Sequence, residues 1–189
     1  MRLFIALDLP NELKPWVTEQ QESLKRSLKQ TGLRWTPPEQ WHVTLRFLGD
    51  YPEHKTAALL SAMKRAAEGV PPFEISFGKL GTFSGPRMGV VWLGIEYGLE
   101  PLITLAGSLN HHLEAEGFPV EKRPFRAHIT LGRSREKIPS AVLRNFPTSP
   151  SSPAARIDRL HLYQSTLGPG GSRYTRLHTV YLVFSTLPK

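Results

Sequence analysis

The chain contains no cysteine among its 189 residues. Disulfides, thiolate nucleophiles, cysteine-ligated zinc and iron–sulfur clusters are therefore excluded. Long apolar runs are missing too: the longest, Met88 to Ile95, falls far short of the roughly 20 residues that a helix needs to cross a bilayer. Near the N-terminus the apolar run Leu3 to Leu7 stops at Asp8 and Pro10. That is too short for the apolar region of a secretory signal, so it reads as the buried first strand of a cytoplasmic protein with no membrane association. Glycine-rich dinucleotide and P-loop signatures are absent. The segment Gly168-Pro169-Gly170-Gly171 has neither the Lys-Ser/Thr pair nor the following helix that a phosphate cradle needs, and reads as a turn. Acidic residues are outnumbered, 16 Asp and Glu facing 24 Lys and Arg, for a formal charge of +8. That balance favours a polyanionic partner and says nothing about chemistry.

What is present alternates between two periods. Arg2–Leu9, Trp41–Leu48, Phe73–Phe83, Met88–Tyr97, Ala127–Arg133, Arg156–Ser165 and Tyr174–Phe184 read as strands, with Leu33–Trp35 extended and a hairpin turn at Ser84-Gly85-Pro86. Helical spacing marks three segments: one capped by Asn11 and running to about Gln30, one over Glu53–Glu68, and one with its apolar stripe on Leu99, Leu102, Ile103, Ala106, Leu109 and Leu113. A short helix over Ile138–Phe146 and a loop over Pro147–Pro153 complete the pattern. The order βαββαββαβαββ mixes hairpins with helical crossovers, which predicts an α+β protein with antiparallel sheets instead of a doubly wound parallel sheet.

Two of the seven histidines open the same tetrad, His42-Val43-Thr44-Leu45 and His128-Ile129-Thr130-Leu131. The composition leads one to expect about 0.07 such tetrads by chance, so a duplicated half is the better explanation. In a strand, period two sends His42, Thr44 and Arg46 to one face and Val43, Leu45 and Phe47 to the other. In the second copy Arg126, His128 and Thr130 share a face opposite Ala127, Ile129 and Leu131. Two imidazoles can serve a phosphodiester as general acid and general base, because the reference pKa of histidine lies near 6.5. Each hydroxyl can donate to a non-bridging phosphate oxygen. Two histidines fall short of the usual three or four zinc ligands, so neither metal nor cofactor is expected.

Arg126 suits a phosphate contact by alternation, whereas Arg133 reaches the same face only if the strand bulges near Gly132. Phe4, Trp35, Phe83 and Tyr174 are candidate stacking platforms for bases. His54, His111, His112, His161 and His178 lack a repeated context and read as surface or structural residues. Lys14, Lys25, Arg26 and Lys29 form the solvated side of the first helix.

These residues resemble the two-histidine phosphoesterase superfamily, and within it the bacterial and archaeal RNA 2′,3′-cyclic phosphodiesterases, also called 2′-5′ RNA ligases. The resemblance runs almost end to end: Arg2 to Leu7, Arg34 to Gly49 around the first tetrad, Pro124 to Arg133 around the second, Leu162 to Ser165 and Gly171 to Tyr174. Ala127 departs from the proline usual before the second histidine. The resemblance implies one domain over residues 1–189 made of two interleaved lobes, each giving an antiparallel sheet and one tetrad to a central cleft, with helices outside. It also implies hydrolysis of RNA 2′,3′-cyclic phosphate ends to 2′-phosphomonoesters, together with ATP-independent 2′-5′ joining. His42 would be the proton donor and His128 the acceptor; Thr44, Thr130, Arg126 and Arg133 would hold the phosphate. The partner would be RNA with a cyclic phosphate end, tRNA halves included, acted on by a cytoplasmic monomer. Two alternatives stay open: a non-catalytic basic module for single-stranded RNA, and a phosphodiesterase for another cyclic phosphate or a 2′-5′ oligonucleotide.

Overall fold

The structure is a computed structural model that describes residues 1–28, 32–52, 56–85, 88–138, 143, 152–168 and 171–184. Nine strands and three α-helices are present among these residues: β1 Arg2–Asp8, α1 Lys14–Ser27, β2 Arg34–Trp35, β3 His42–Asp50, α2 Thr56–Ala67, β4 Phe73–Gly85, β5 Met88–Tyr97, α3 Leu99–Ala115, β6 His128–Ser134, β7 Ala155–Ile157, β8 Arg159–Gly168 and β9 Gly171–Tyr181. Most of the expected helix over Ile138–Phe146 and of the Pro147–Pro153 loop, together with His54 and Lys29, lies outside the described residues.

The strands run in the order β7-β4-β5-β6-β3-β1-β8-β9, with β2 beside β6, and every pairing between them is antiparallel. The α+β expectation with two antiparallel sheets therefore takes the form of two half-sheets. One holds the first tetrad on β3 and the other the second on β6. They meet at one described pair, Val43 with Ile129. The chain passes back and forth between the halves. Arg156–Ser165, expected as one strand, is broken at Asp158: β7 pairs with β4 in one half and β8 with β1 in the other.

Helical spacing explains which faces are buried. Leu102, Leu105, Ala106, Leu109 and Leu113 on α3 and Leu59, Ala62, Met63 and Ala66 on α2 join Val43, Leu45, Ile129 and Leu131 in one core. Ile103, expected on the α3 stripe, is exposed. Gly98 opens α3 with a φ of 78°, and a side chain there would meet the Glu74 carbonyl oxygen at 2.0 Å. Asn11 does not cap α1 as expected. Pro10 starts a 3-10 turn over Asn11–Leu13, the Leu13 N–H donates to the Pro10 oxygen at 3.0 Å, and the α-helix begins one residue later. Among the described residues no helix is long and apolar enough to cross a membrane.

Candidate active site

The Val43–Ile129 pair forms the floor of the cleft. Because the pairing is antiparallel, His42 lies on its Thr130 side and His128 on its Thr44 side, which sets the two His–Thr couples about a local two-fold. All four side chains line one cavity of about 370 Å³. The likeness goes beyond sequence: from His42 and from His128, seven successive residues follow the same sequence of half-buried, buried and exposed positions.

That shared pattern departs from strict alternation, and the cause is a bulge in each strand. On β3, Thr44 pairs with Ala6 and Arg46 with Ile5, leaving Leu45 without a partner on β1. On β6, Thr130 pairs with Trp92 and Gly132 with Val91, leaving Leu131 unpaired on β5. One extra residue turns everything after it to the opposite face. Two expectations are corrected in consequence. Arg46, expected on the open face with His42 and Thr44, is buried, and its guanidinium donates to Asn110 Oδ1 at 3.0 Å and to the Pro119 oxygen. Phe47, expected in the core, is exposed and lines the cleft, its ring 5.9 Å from that of Phe4. The second bulge brings Arg133 to the cleft, where its Nη2 lies 3.4 Å from Thr130 Oγ1. Phe47 and Arg133 thus occupy equivalent positions, aromatic in one half and cationic in the other.

The Leu131 bulge is held from α1. Gln21 is buried, and its Nε2 donates to the Leu131 oxygen at 3.0 Å and to the Thr36 oxygen at 2.8 Å. The Thr36 N–H donates to the same Leu131 oxygen at 2.8 Å. The Leu131 carbonyl, on the β2 side of the strand, thus accepts both from the backbone that continues β2 and from α1.

Both imidazoles are fixed in the same way. Nδ1 of His42 lies 2.7 Å from the Gln40 oxygen, and Nδ1 of His128 lies 2.6 Å from the Arg126 oxygen. A carbonyl oxygen can only accept, so each Nδ1 carries the hydrogen and each Nε2 is left free to give or take a proton. Burial lowers the pKa of both rings, the bond to the carbonyl opposes this, and the Arg133 charge lowers both further.

Aromatic rings pack around each histidine. His42 sits 5.0 Å from Phe4 and 5.4 Å edge-on from Tyr174; His128 sits 5.0 Å edge-on from Phe83 and 6.1 Å from Trp92. Arg126 lies 5.6 Å over the Phe83 ring, so it too faces the cleft. Of the expected platforms, Phe4, Phe83 and Tyr174 are at the site. Trp35 is not: it pairs with Gly132 on β6 and packs against the core. Among the other histidines, His161 is buried and bonded to Thr179 Oγ1 at 2.9 Å. Among the described residues no group of three or more His, Asp or Glu is placed to hold a metal ion.

Sequence reasoning missed Asp8, Tyr163 and Arg176. Tyr163 Oη donates to Asp8 Oδ1 and Arg176 Nη2 donates to Asp8 Oδ2 at 3.0 Å, beside His42 in an adjoining cavity of about 320 Å³. The only sequence signal was position: Asp8 closes the apolar first strand, and Tyr163 lies in a segment matched to the family.

Comparison with known proteins agrees with this geometry. Residues 7–92 and 95–174 match the family described as LigT like Phosphoesterase. The chain is 33% identical over 190 residues to the RNA 2′,3′-cyclic phosphodiesterase of Methanothermobacter thermautotrophicus, covering 96% of this chain and 99% of that one. It is 34% identical to the protein of the same name from Thermotoga maritima, covering 94% of each. Among solved structures, E. coli LigT complexed with 3′-AMP superposes with a TM-score of 0.76 at 29% identity, over 96% of this chain and 97% of that one. With the twinned tetrads on β3 and β6 facing one cleft, and with near full-length similarity to these proteins, the chain belongs to the LigT like phosphoesterase family of two-histidine phosphoesterases.

Proposed function

We propose that the protein hydrolyses the 2′,3′-cyclic phosphate at the end of an RNA to a 2′-phosphomonoester. The observation that carries this reading is the matched state of the two imidazoles: both hold Nδ1 against a backbone carbonyl, which leaves Nε2 to exchange protons, and both rings line one cavity. His128 Nε2 takes a proton from the attacking water. His42 Nε2–H gives one to the departing 3′ oxygen on the other side of the phosphorus. Thr44 and Thr130 donate to the non-bridging oxygens, and Arg126 and Arg133 balance the charge that grows on them. With a 5′ hydroxyl in place of water the same proton transfers join two RNAs through a 2′-5′ link, without ATP.

We read residues 1–189 as one domain of two interleaved lobes acting as a cytoplasmic monomer, with tRNA halves among its RNAs. The 24 Lys and Arg against 16 acids, and the rings of Phe83, Phe47 and Tyr174 at the cleft, suit a single-stranded polyanion whose bases can stack.

The test is an RNA oligonucleotide ending in a 2′,3′-cyclic phosphate, incubated with and without EDTA. The expected product is the 2′-phosphate, at the same rate in both. Steeply salt-dependent binding with no product would make the protein a non-catalytic RNA-binding module instead. The pH profile has a defined sign. One imidazole must be charged and the other neutral, and burial disfavours the charged form of both. The kcat/KM bell is therefore centred below about pH 6.5, and its alkaline limb falls as the donor loses its proton. The bound anion favours imidazolium, so the kcat profile lies at higher pH.

A further inference from the structure

The two histidines are alike in tautomer and in their bond to a backbone carbonyl, but His42 is the more deeply buried, so burial alone disfavours a proton on it more than on His128, whereas the reaction needs His42 charged and His128 neutral. Their cross-strand neighbours differ. Opposite His42 on β1 stands Asp8; opposite His128 on β5 stands Gly94, with no side chain. Residues directly opposite in an antiparallel pair bring their Cβ atoms within about 4.5–5.5 Å, close enough for a carboxylate to act on an imidazole through little intervening water.

The Asp8 carboxylate is held on both oxygens. Tyr163 Oη donates to Oδ1, Arg176 Nη2 donates to Oδ2 at 3.0 Å, and His161 Nε2 lies 3.5 Å from Oδ2. The Tyr163 ring stacks on Phe4 at 5.3 Å, and Phe4 packs on His42 at 5.0 Å, so one frame orients both the carboxylate and the imidazole. The other ionisable groups that act on His42 or line a cavity with it include His128 and Arg133 from β6, Tyr174 and Arg176 from β9, Tyr163 from β8, Glu39 from the turn before β3, and Arg46, Glu121, Arg123 and Arg126 around the cleft. Arg133 disfavours a proton on either histidine, whereas Asp8 favours one on His42 and has no counterpart at His128.

We propose that Asp8 makes the two histidines unequal: its carboxylate, fixed by Tyr163 and Arg176 across the β1–β3 pair, holds the catalytic proton on His42 and so sets the direction of proton flow. This rests on the acid–base reading above. In the forward step the O3′–P bond breaks as the His42 Nε2 proton passes to O3′. The water oxygen bonds to phosphorus as its proton passes to His128 Nε2, and solvent then returns the proton from His128 to His42. Asp8 touches no reacting atom and is a positioning residue.

The test follows the Cε1–H signals of the two histidines by NMR through a pH titration of the whole protein, beside the kcat/KM profile. In the wild type the Asp8 carboxylate raises the His42 midpoint above where burial and the Arg133 charge alone would leave it. Asp8→Asn removes the carboxylate and lowers the His42 midpoint by about half a pH unit or more, leaving His128 in place and drawing the alkaline limb of kcat/KM down with it. Arg176→Gln leaves the Asp8 charge uncompensated and moves His42 upward. A purely structural role gives no such opposed pair of shifts. Should Asp8→Asn not fold, Arg176→Gln decides alone: a rise at His42 supports the assignment and no change overturns it. An unmoved His42 in Asp8→Asn, or equal movement of both histidines, also overturns it. If His42→Ala meanwhile abolishes turnover, the acid–base reading survives that loss; full activity in His42→Ala would end that reading itself.

Discussion

Replacing His42 or His128 with alanine lowers kcat/KM toward a 2′,3′-cyclic nucleotide by about 10²–10⁴, the usual loss when a general acid or base is removed. The double variant falls little further than the worse single one, because both groups act in one step and their losses do not add. The two singles separate when the leaving group changes. An aryl phosphodiester whose phenolate departs without protonation needs a base but no acid, so His42→Ala recovers much of its activity on such a substrate and His128→Ala does not. Steady-state rates on the two substrates read this directly. Recovery of His128→Ala in place of His42→Ala would reverse the donor and acceptor roles, and equal losses on both substrates would remove them. Neither variant should alter the fold, since each imidazole meets the rest of the protein through a single hydrogen bond to a carbonyl and through ring contacts.

The second large effect is on stability. Arg46 is buried between β3, α3 and the segment leading to β6, where its guanidinium reaches Asn110 Oδ1 and the Pro119 oxygen and lies 3.9 Å from Glu121 Oε2. Arg123 also binds Glu121 and helps bring its pKa down to about 2, so the carboxylate stays charged when Arg46 is removed. Arg46→Ala therefore leaves two acceptors without their donor and a partly buried charge with one partner fewer. Leaving the two buried acceptors unpaired costs about 2–4 kcal/mol in all. In a chain of this size that lowers the melting temperature by roughly 4–16 °C. Activity falls as well, because the same segment continues to Arg126, whose carbonyl sets the His128 tautomer. A melting temperature within about 2 °C of the wild type would show that the clamp carries no such load.

The sequence made the chemistry legible because the chemistry is local. A His and a Thr two residues apart share a strand face whatever lies around them, and two copies in one chain pointed to a pair of couples. The strands and most of the α3 stripe were likewise written in short-range pattern. What escaped depends on pairings that a single strand does not encode. The bulges at Leu45 and Leu131 exist only relative to β1 and β5, and they exchange the faces of Arg46 and Phe47 and bring Arg133 to the cleft. Gln21 reads as one polar residue on an amphipathic helix until Leu131, 110 positions away, presents it a carbonyl. Asp8 and Arg176 meet across 168 positions, and nothing near either one announces the other. The break at Asp158, where one apparent strand is divided between two half-sheets, is settled by which partners β7 and β8 find.

The central claim is that one phosphorus atom sits between the two free imidazole nitrogens, one from each half-sheet. A crystal structure of the protein with a bound 2′-nucleotide product measures this. The account predicts the phosphate in the cleft, with Nε2 of both His42 and His128 and the hydroxyls of Thr44 and Thr130 each within about 3 Å of its oxygens. A phosphate bound elsewhere, or reached by only one of the two imidazoles, would contradict it.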